Sequence, residues 1–248
     1  MTTAADTGGQ RSQPSARRRG DLSASTYDQL RDAIVTLRLA PGAALIESEL
    51  CERLHVSRTP MRATLQRLQQ QGFAVVVRSG RLRRLMVSPL TVDDMRELFL
   101  MVGSLDGLAA RLAAELETAI RASVIREMEC LNGQLRSLAS GADLRDTTLV
   151  MDLDVMFHEC YERAAAGPQL LAELRSLHAR RARYVLVYTE ALVRGHTLRQ
   201  SASEHEAIID ALKAGDAEEA ERSAARNYRN ALERYGGLVA ALGERGSW

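Results

Sequence analysis

Apolar residues recur at helical spacing through most of the 248-residue chain, and a short β-prone run near residue 75 interrupts that rhythm. Tyr27, Leu30, Ile34 and Leu37 predict a helix over Thr26–Leu39, closed by Pro41-Gly42. Leu45, Leu50 and Leu54 mark a short second helix with one apolar stripe, and Glu47 and Glu49 near its start suit the positive helix end. His55-Val56 breaks the pattern and Ser57 is a good N-cap. A third helix then runs from about Arg58 to Gln71, with Met61, Leu65 and Leu68 facing the core. Pro60 is tolerated in its first turn, where a missing N–H costs nothing, and Gly72 supplies the stop. Phe73–Val77 favours a strand, Arg78–Arg81 a turn, and Leu82–Val87 a returning strand.

Beyond the short link Ser88-Pro89-Leu90 the pattern is helical throughout. The predicted spans are Val92–Leu116 behind the cap Thr91, Thr118–Ala139, Leu144–Ala165, Gln169–Val193, Leu198–Ala214, and a last helix capped by Asp216 and ending near Val239. No internal repeat of fixed period is visible. The fold class expected is mainly α: a winged helix-turn-helix over 23–88, then an antiparallel bundle of about six helices over 91–242.

Charge changes the picture because it is unevenly placed. Residues 1–90 hold 14 Arg and no Lys against 7 Asp plus Glu, whereas residues 91–248 hold 19 basic and 25 acidic residues. The basic front argues for a polyanionic partner confined to that half. Residues 1–22, rich in Gly, Ser, Ala, Gln and Arg, read as a disordered arm. Cys51, Cys130 and Cys160 show no CxxC spacing, which fits a reduced, cytoplasmic protein without a disulfide framework. No apolar run approaches the ~20 residues of a membrane span.

Arg58 and Arg62 stand one turn apart on the polar face of the third helix, where a recognition helix meets base edges, and arginine suits a bidentate contact to guanine. Arg78, Arg81, Arg83 and Arg84 surround Gly80 at the tip of the hairpin, where glycine lets the backbone approach a phosphate closely. In the bundle, Asp154 and His158 share a helix face, and His205 follows downstream; a carboxylate with two imidazoles suits a divalent ion such as Zn²⁺, Mn²⁺ or Ni²⁺.

The segments PGAALIESELCERLHVSRTPMRATLQRLQQQGFAVVVRSG, DVMFHECYERAAAG and SEHEAIIDALKAGDAEEA resemble the GntR family of bacterial transcription regulators, in its FadR-type branch with an FCD ligand-binding domain. The resemblance covers nearly the entire chain. It implies a homodimer on a short palindromic double-stranded DNA operator, its affinity changed by a small-molecule effector. It implies base contacts from Arg58 and Arg62, a phosphate contact from Thr59 beside Ser57, and approach of the wing at Arg78, Gly80 and Arg81. Many relatives carry an Arg or Lys where this chain has Ser48. The family's metal ligands Asp, His, His and His fall on Asp154, His158, His205 and, as a departure, Asn227, so a metal is expected to bind in weakened or altered form. A second departure is Val102, which replaces the Arg of an Arg-x-x-Leu-Glu pattern that ends here at Asp106. A more apolar effector, or one gripped by Arg180, Arg183, Tyr184 or Tyr188, follows from that loss. The expected function is a metabolite-responsive repressor and not an enzyme. The alternatives are an architectural DNA-binding protein with a non-sensing bundle, and a metal-dependent enzyme using Glu159 or Glu204 as general base.

Overall fold

The computed structural model describes residues 16–80, 82–140, 147–194 and 197–246. Residues 1–15 of the expected arm, and Arg81, lie outside the described residues. Helix α1 (Ala16–Val35) begins inside the stretch expected to be an arm and stops before the expected Leu39. The early stop has a local cause. Leu37 adopts φ 60, and the amide of Leu39 bonds the carbonyl of Ala33, so an apolar residue closes the helix in a left-handed turn that usually falls to glycine. Helix α2 (Glu47–Leu54) and helix α3 (Arg58–Gln70) follow. His55 takes the left-handed conformation between them and returns its N–H to Glu52.

Strands β1 (Ala74–Ser79) and β2 (Leu82–Val87) pair antiparallel, with Ser79 opposite Leu82. The strands therefore extend through Arg78 and Ser79, which had been placed in the turn. Gly80 has φ +60 and nothing near its missing Cβ, a left-handed backbone that tight hairpin turns demand. Residues 42–45 add a third short partner along β2, through Gly42 N–H to Val87, Val87 N–H to Ala43 and Leu45 N–H to Leu85. One cluster joins these parts: Tyr27, Leu30 and Ile34 of α1, Leu50 of α2, Met61, Leu65 and Leu68 of α3, and Phe73 and Val87 of the wing.

Six helices make the rear half: α4 (Val92–Ala114), α5 (Thr118–Ser140), α6 (Thr147–Ala165), α7 (Pro168–Arg194), α8 (Leu198–Ala214) and α9 (Ala217–Leu242). Thr91 caps α4 by accepting from Asp94 N–H, and Asp216 caps α9 by accepting from Glu219 N–H. Helices α4 and α9 share the largest contact. Their approach is close enough that a Cβ at Gly103 would stand 2.9 Å from the Cβ of Tyr228. Three apolar clusters fill the bundle among the described residues, around Phe157, Ile208 and Leu212, around Phe99, Tyr188 and Val239, and a small one of Leu135, Val150, Leu198 and Ala202. Cys51, Cys130 and Cys160 are free thiols. No described helix is long and apolar enough to cross a membrane.

The two halves meet along α7 and a returning C-terminal segment. Arg180 donates to Asp94 Oδ1 at 3.0 Å, the buried Arg183 donates to the carbonyl of Ser88, and the Tyr184 hydroxyl donates to Asp94 and accepts from Thr91 N–H. Arg245 pairs with Leu90 through both backbone bonds, and Glu244 accepts from Val92 N–H. Gly246 then lies against the Pro41-Gly42 turn. A Cβ at Gly42 would come 2.7 Å from the Cα of Gly246, and both glycines have positive φ.

Candidate DNA interface and helical-domain site

Helix α3 presents its N-terminus outward because its other face is fully committed to the core. Met61, Leu65 and Leu68 are buried, while Arg58, Thr59 and Arg62 are exposed. Ser57 occupies the N-cap position with extended backbone, but its hydroxyl makes no capping bond. The first turn of α3 carries no acid, so its free N–H groups and positive end face solvent without an internal anion. Ser48 is exposed in α2. Arg62 is not free: its Nε–H donates to both carboxylate oxygens of Glu47, at 3.0 and 2.9 Å, and this pairing raises the guanidinium pKa. The spacing of fifteen residues across a turn hid this pair from the sequence.

On the wing, Arg78 stands opposite Arg83 and Val77 opposite Arg84. Arg78, Arg83 and Arg84 are exposed. Like charges directly across a ladder repel. Among the described residues no carboxylate pairs with Arg58, Arg78, Arg83 or Arg84. This surface is arranged for an external polyanion.

In the bundle, Asp154 and His158 of α6 meet His205 of α8, with ligand atoms all within 4.8 Å of one another. Each imidazole is held in place by a different device. The Nδ1 of His158 lies 3.2 Å from Asp106 Oδ2, which also accepts the Tyr161 hydroxyl at 2.5 Å. That bond fixes the tautomer that leaves Nε2 for a ligand. His205 stacks on Phe157 with centroids 3.8 Å apart and planes 6° from parallel. Both its nitrogens lack a hydrogen-bond partner, although Nε2 is 3.5 Å from Asp154 Oδ1. Burial lowers the pKa of His205 and keeps it neutral. Burial would lower His158 also, but Asp106 outweighs it and raises that imidazole. Asp154 is disfavoured by burial, yet His205 and Arg181 together hold its carboxyl well below the usual range. A buried His205 without a hydrogen-bond partner among the described residues, beside the Nε2 of His158 and the Asp154 carboxylate, fits a divalent ion, so the three form one donor set.

Asn227 lines the same cavity as Asp154, and its carbonyl oxygen is the atom it could offer. Its amide donates to Glu204 Oε2 at 3.0 Å, and Glu204 also takes Asn230 and Arg234. Arg181, which the sequence reading passed over, instead approaches Asp154 Oδ2 at 3.4 Å, buried, with its guanidinium 5.4 Å from the Tyr228 ring centre. Asp154, Arg181, Ser201, Asn227, Tyr228 and Arg234 line one side of a small cavity of about 40 Å³ that opens to solvent. Val150, Val185 and Leu198 are among its apolar walls. The Tyr228 hydroxyl and the Nε atoms of Arg181 and Arg234 are buried without partners. Helical periodicity marks a position such as Arg181 only as polar, and its inward aim depends on how α7 rotates against α6.

The expected effector pocket is not assembled from the residues named for it. Val102 is core between α4 and its neighbours, Arg183 and Tyr184 hold the linker, and Tyr188 donates to the carbonyl of Gly243. Arg180 bonds Asp94 at the same junction. Asp106 lies behind His158 and does not line the cavity. The physical reason is helical phase: positions 180, 183 and 184 fall on the face of α7 that turns to the linker, while positions 181 and 185 fall on the face that turns to the cavity.

A family model for the bacterial regulatory proteins of the gntR family matches residues 22–82, and one for the FCD domain matches residues 97–230. The chain belongs to the GntR family. Among its relatives, an HTH-type transcriptional regulator of an unstable DNA locus in Streptomyces ambofaciens is 39% identical over 103 residues, 41% of this chain and 44% of that protein. A D-xylose utilization operon transcriptional repressor of Paenarthrobacter nicotinovorans is 28% identical over 201 residues, 79% of this chain and 82% of the relative. The E. coli McbR/YncC structure superposes with a TM-score of 0.64 at 21% identity, covering 88% of this chain and 98% of its own. A GntR transcriptional regulator from Rhodococcus sp. RHA1 gives 0.60 at 22% identity, over 89% and 98%. As a GntR-family protein with an FCD domain, this chain is a metabolite-responsive, DNA-binding transcription regulator.

Proposed function

We propose that the protein is a repressor that binds a palindromic operator as a homodimer and releases it when a small metabolite enters the helical domain. The observation that carries the reading is the set of exposed arginines that no carboxylate among the described residues pairs, at Arg58 on the α3 terminus and Arg78, Arg83 and Arg84 on the wing. In this reading the front of α3 enters the major groove, with Arg58 and Arg62 at base edges and Thr59 on phosphate. The wing tip at Gly80 follows the backbone. Release follows from linkage: the effector lowers operator affinity only by its differential affinity for the two placements of the winged domain.

The cavity beside Asp154 supports a sensing bundle over a purely architectural one, because it gathers buried polar groups that have no partner within the chain. Asp154, His158 and His205 would hold a borderline ion such as Zn²⁺ or Ni²⁺, which would supply a Lewis-acidic anchor for an oxygen of the effector. Arg181, Arg234 and Tyr228 offer donors along the same wall, and the aliphatic walls suit an apolar body.

Selection of bound fragments from the source genome, followed by titration of the recovered site, tests the reading. Arg58→Ala is expected to cost about 1–3 kcal/mol and to relax one operator position. A recovered site with no two-fold symmetry, or an unchanged base preference in Arg58→Ala, would overturn the assignment.

A further inference from the structure

We infer that a divalent cation binds a second site, between α4, α6 and α7, on the carboxylates of Asp106 and Glu162 and the imidazole of His178. The three residues offer ligand atoms that all lie within 4.8 Å of one another. A common ion ~2.0–2.2 Å from each donor is compatible with that spread after a small contraction. Asp106 is 0% exposed and Glu162 2%. His178 Nε2 is 2.7 Å from Glu162 Oε1.

Two features point to a ligand there and not simply to a packed polar cluster. Tyr161 and His158 share one oxygen of Asp106, and its other, fully buried Oδ1 has no amine, amide or hydroxyl donor among the described residues; the Glu162 carboxyl, raised by burial, faces Asp106, so only a shared proton or a cation satisfies the pair. The Nδ1 of His178 is likewise buried and unpartnered. An unsatisfied anionic oxygen in the interior is costly unless a cation or proton meets it.

Charge balance favours this cluster for a dication. Two buried carboxylates face one another here, and among the described residues neither bonds a lysine or arginine. A dication neutralises the pair. The Asp154 cluster has a single carboxylate, and Arg181 already approaches it. Its place for a fourth ligand holds Asn227, whose amide is given to Glu204. The donors differ as well. Two oxygens and one nitrogen suit a harder ion such as Mn²⁺, whereas two imidazoles and one carboxylate suit Zn²⁺ or Ni²⁺. Asp106 joins the two sites, because its other oxygen orients His158.

The test uses the full chain, stripped with chelator and titrated with Mn²⁺ alone, with free ion read by electron paramagnetic resonance. One Mn²⁺ is expected per chain in the wild type and in His205→Ala. Glu162→Gln and His178→Ala are expected to weaken it by at least the ~10-fold that even an outer-shell loss costs. Circular dichroism checks folding; if Glu162→Gln unfolds, His178→Ala at the partly exposed rim carries the comparison. Spin-echo modulation on the wild type needs no variant, and coupling to one imidazole nitrogen is expected. Coupling to two nitrogens, loss of binding in His205→Ala with retention in Glu162→Gln, or no Mn²⁺ uptake by the folded chain would overturn the proposal. Operator binding of the metal-free protein is read separately, so a failure here leaves the DNA-binding reading untouched.

Discussion

In the proposed complex Arg62 would meet DNA already engaged, because Glu47 holds its Nε–H while most of the guanidinium side chain stays open to water. An exposed pair of this kind is weak in itself, so its role is orientation: Glu47 fixes the rotamer and must yield when a base or phosphate competes. Glu47→Gln is expected to raise affinity for non-operator DNA more than for the operator, which gel-shift titration on both duplexes will read. Equal gains on both would show that Glu47 merely neutralises charge. The turn conformation of Gly80 and the burial of Met61, Leu65 and Leu68 rest on properties local to each residue and were legible in the sequence. Arg181 and the Glu47–Arg62 pair were illegible because each depends on partners distant in sequence.

At the scale of elements, α7 is the member with two tasks. Adjacent positions serve different places: Arg181 faces Asp154 and the cavity, and Arg180, Arg183 and Tyr184 grip the linker. Arg180→Ala removes the bond to Asp94, and hydrogen exchange across residues 88–94 is expected to quicken while the bundle core stays protected. Unchanged exchange would show that Arg183 and Tyr184 suffice. Helix α9 offers a pH-dependent case. The Ser223 hydroxyl first, then Arg222 and Arg226, lower the Glu219 carboxyl from 4.5 to about 2. A depressed carboxyl stabilises fully above its unfolded value, and that contribution is lost as pH falls from about 4.5 towards 2. Melting curves should therefore show a smaller acid loss in Glu219→Gln than in the wild type. Helix existence was legible from 3.6-residue periodicity, and the starts of α4 and α9 from Thr91 and Asp216, whose side chains do cap. The end of α1 was not, because Leu37 adopts a conformation that its side chain disfavours and only packing imposes.

Across the whole molecule, the basic front and acidic rear separate the part that meets phosphate from the part that meets metabolites. Phosphate binding by arginine releases counterions, so affinity for the operator should fall steeply with salt. Replacing Arg83 by alanine should reduce the slope of log affinity against log salt by about 1 without altering sequence preference. A slope unchanged by that variant would remove the wing from the interface. The seam between the halves could not be foreseen, since it joins Leu90 to Arg245 and Pro41-Gly42 to Gly246 across most of the chain.

That last seam is a place where one methyl group would be felt across the molecule. Gly246 lies against the turn that precedes α2, with no room for a Cβ on either side. A side chain introduced there would press on the winged half, not on a remote pole of the bundle. Gly246→Ala would therefore act as a wedge, so the bulk of a single position far along the chain is coupled to the placement of the DNA-reading half.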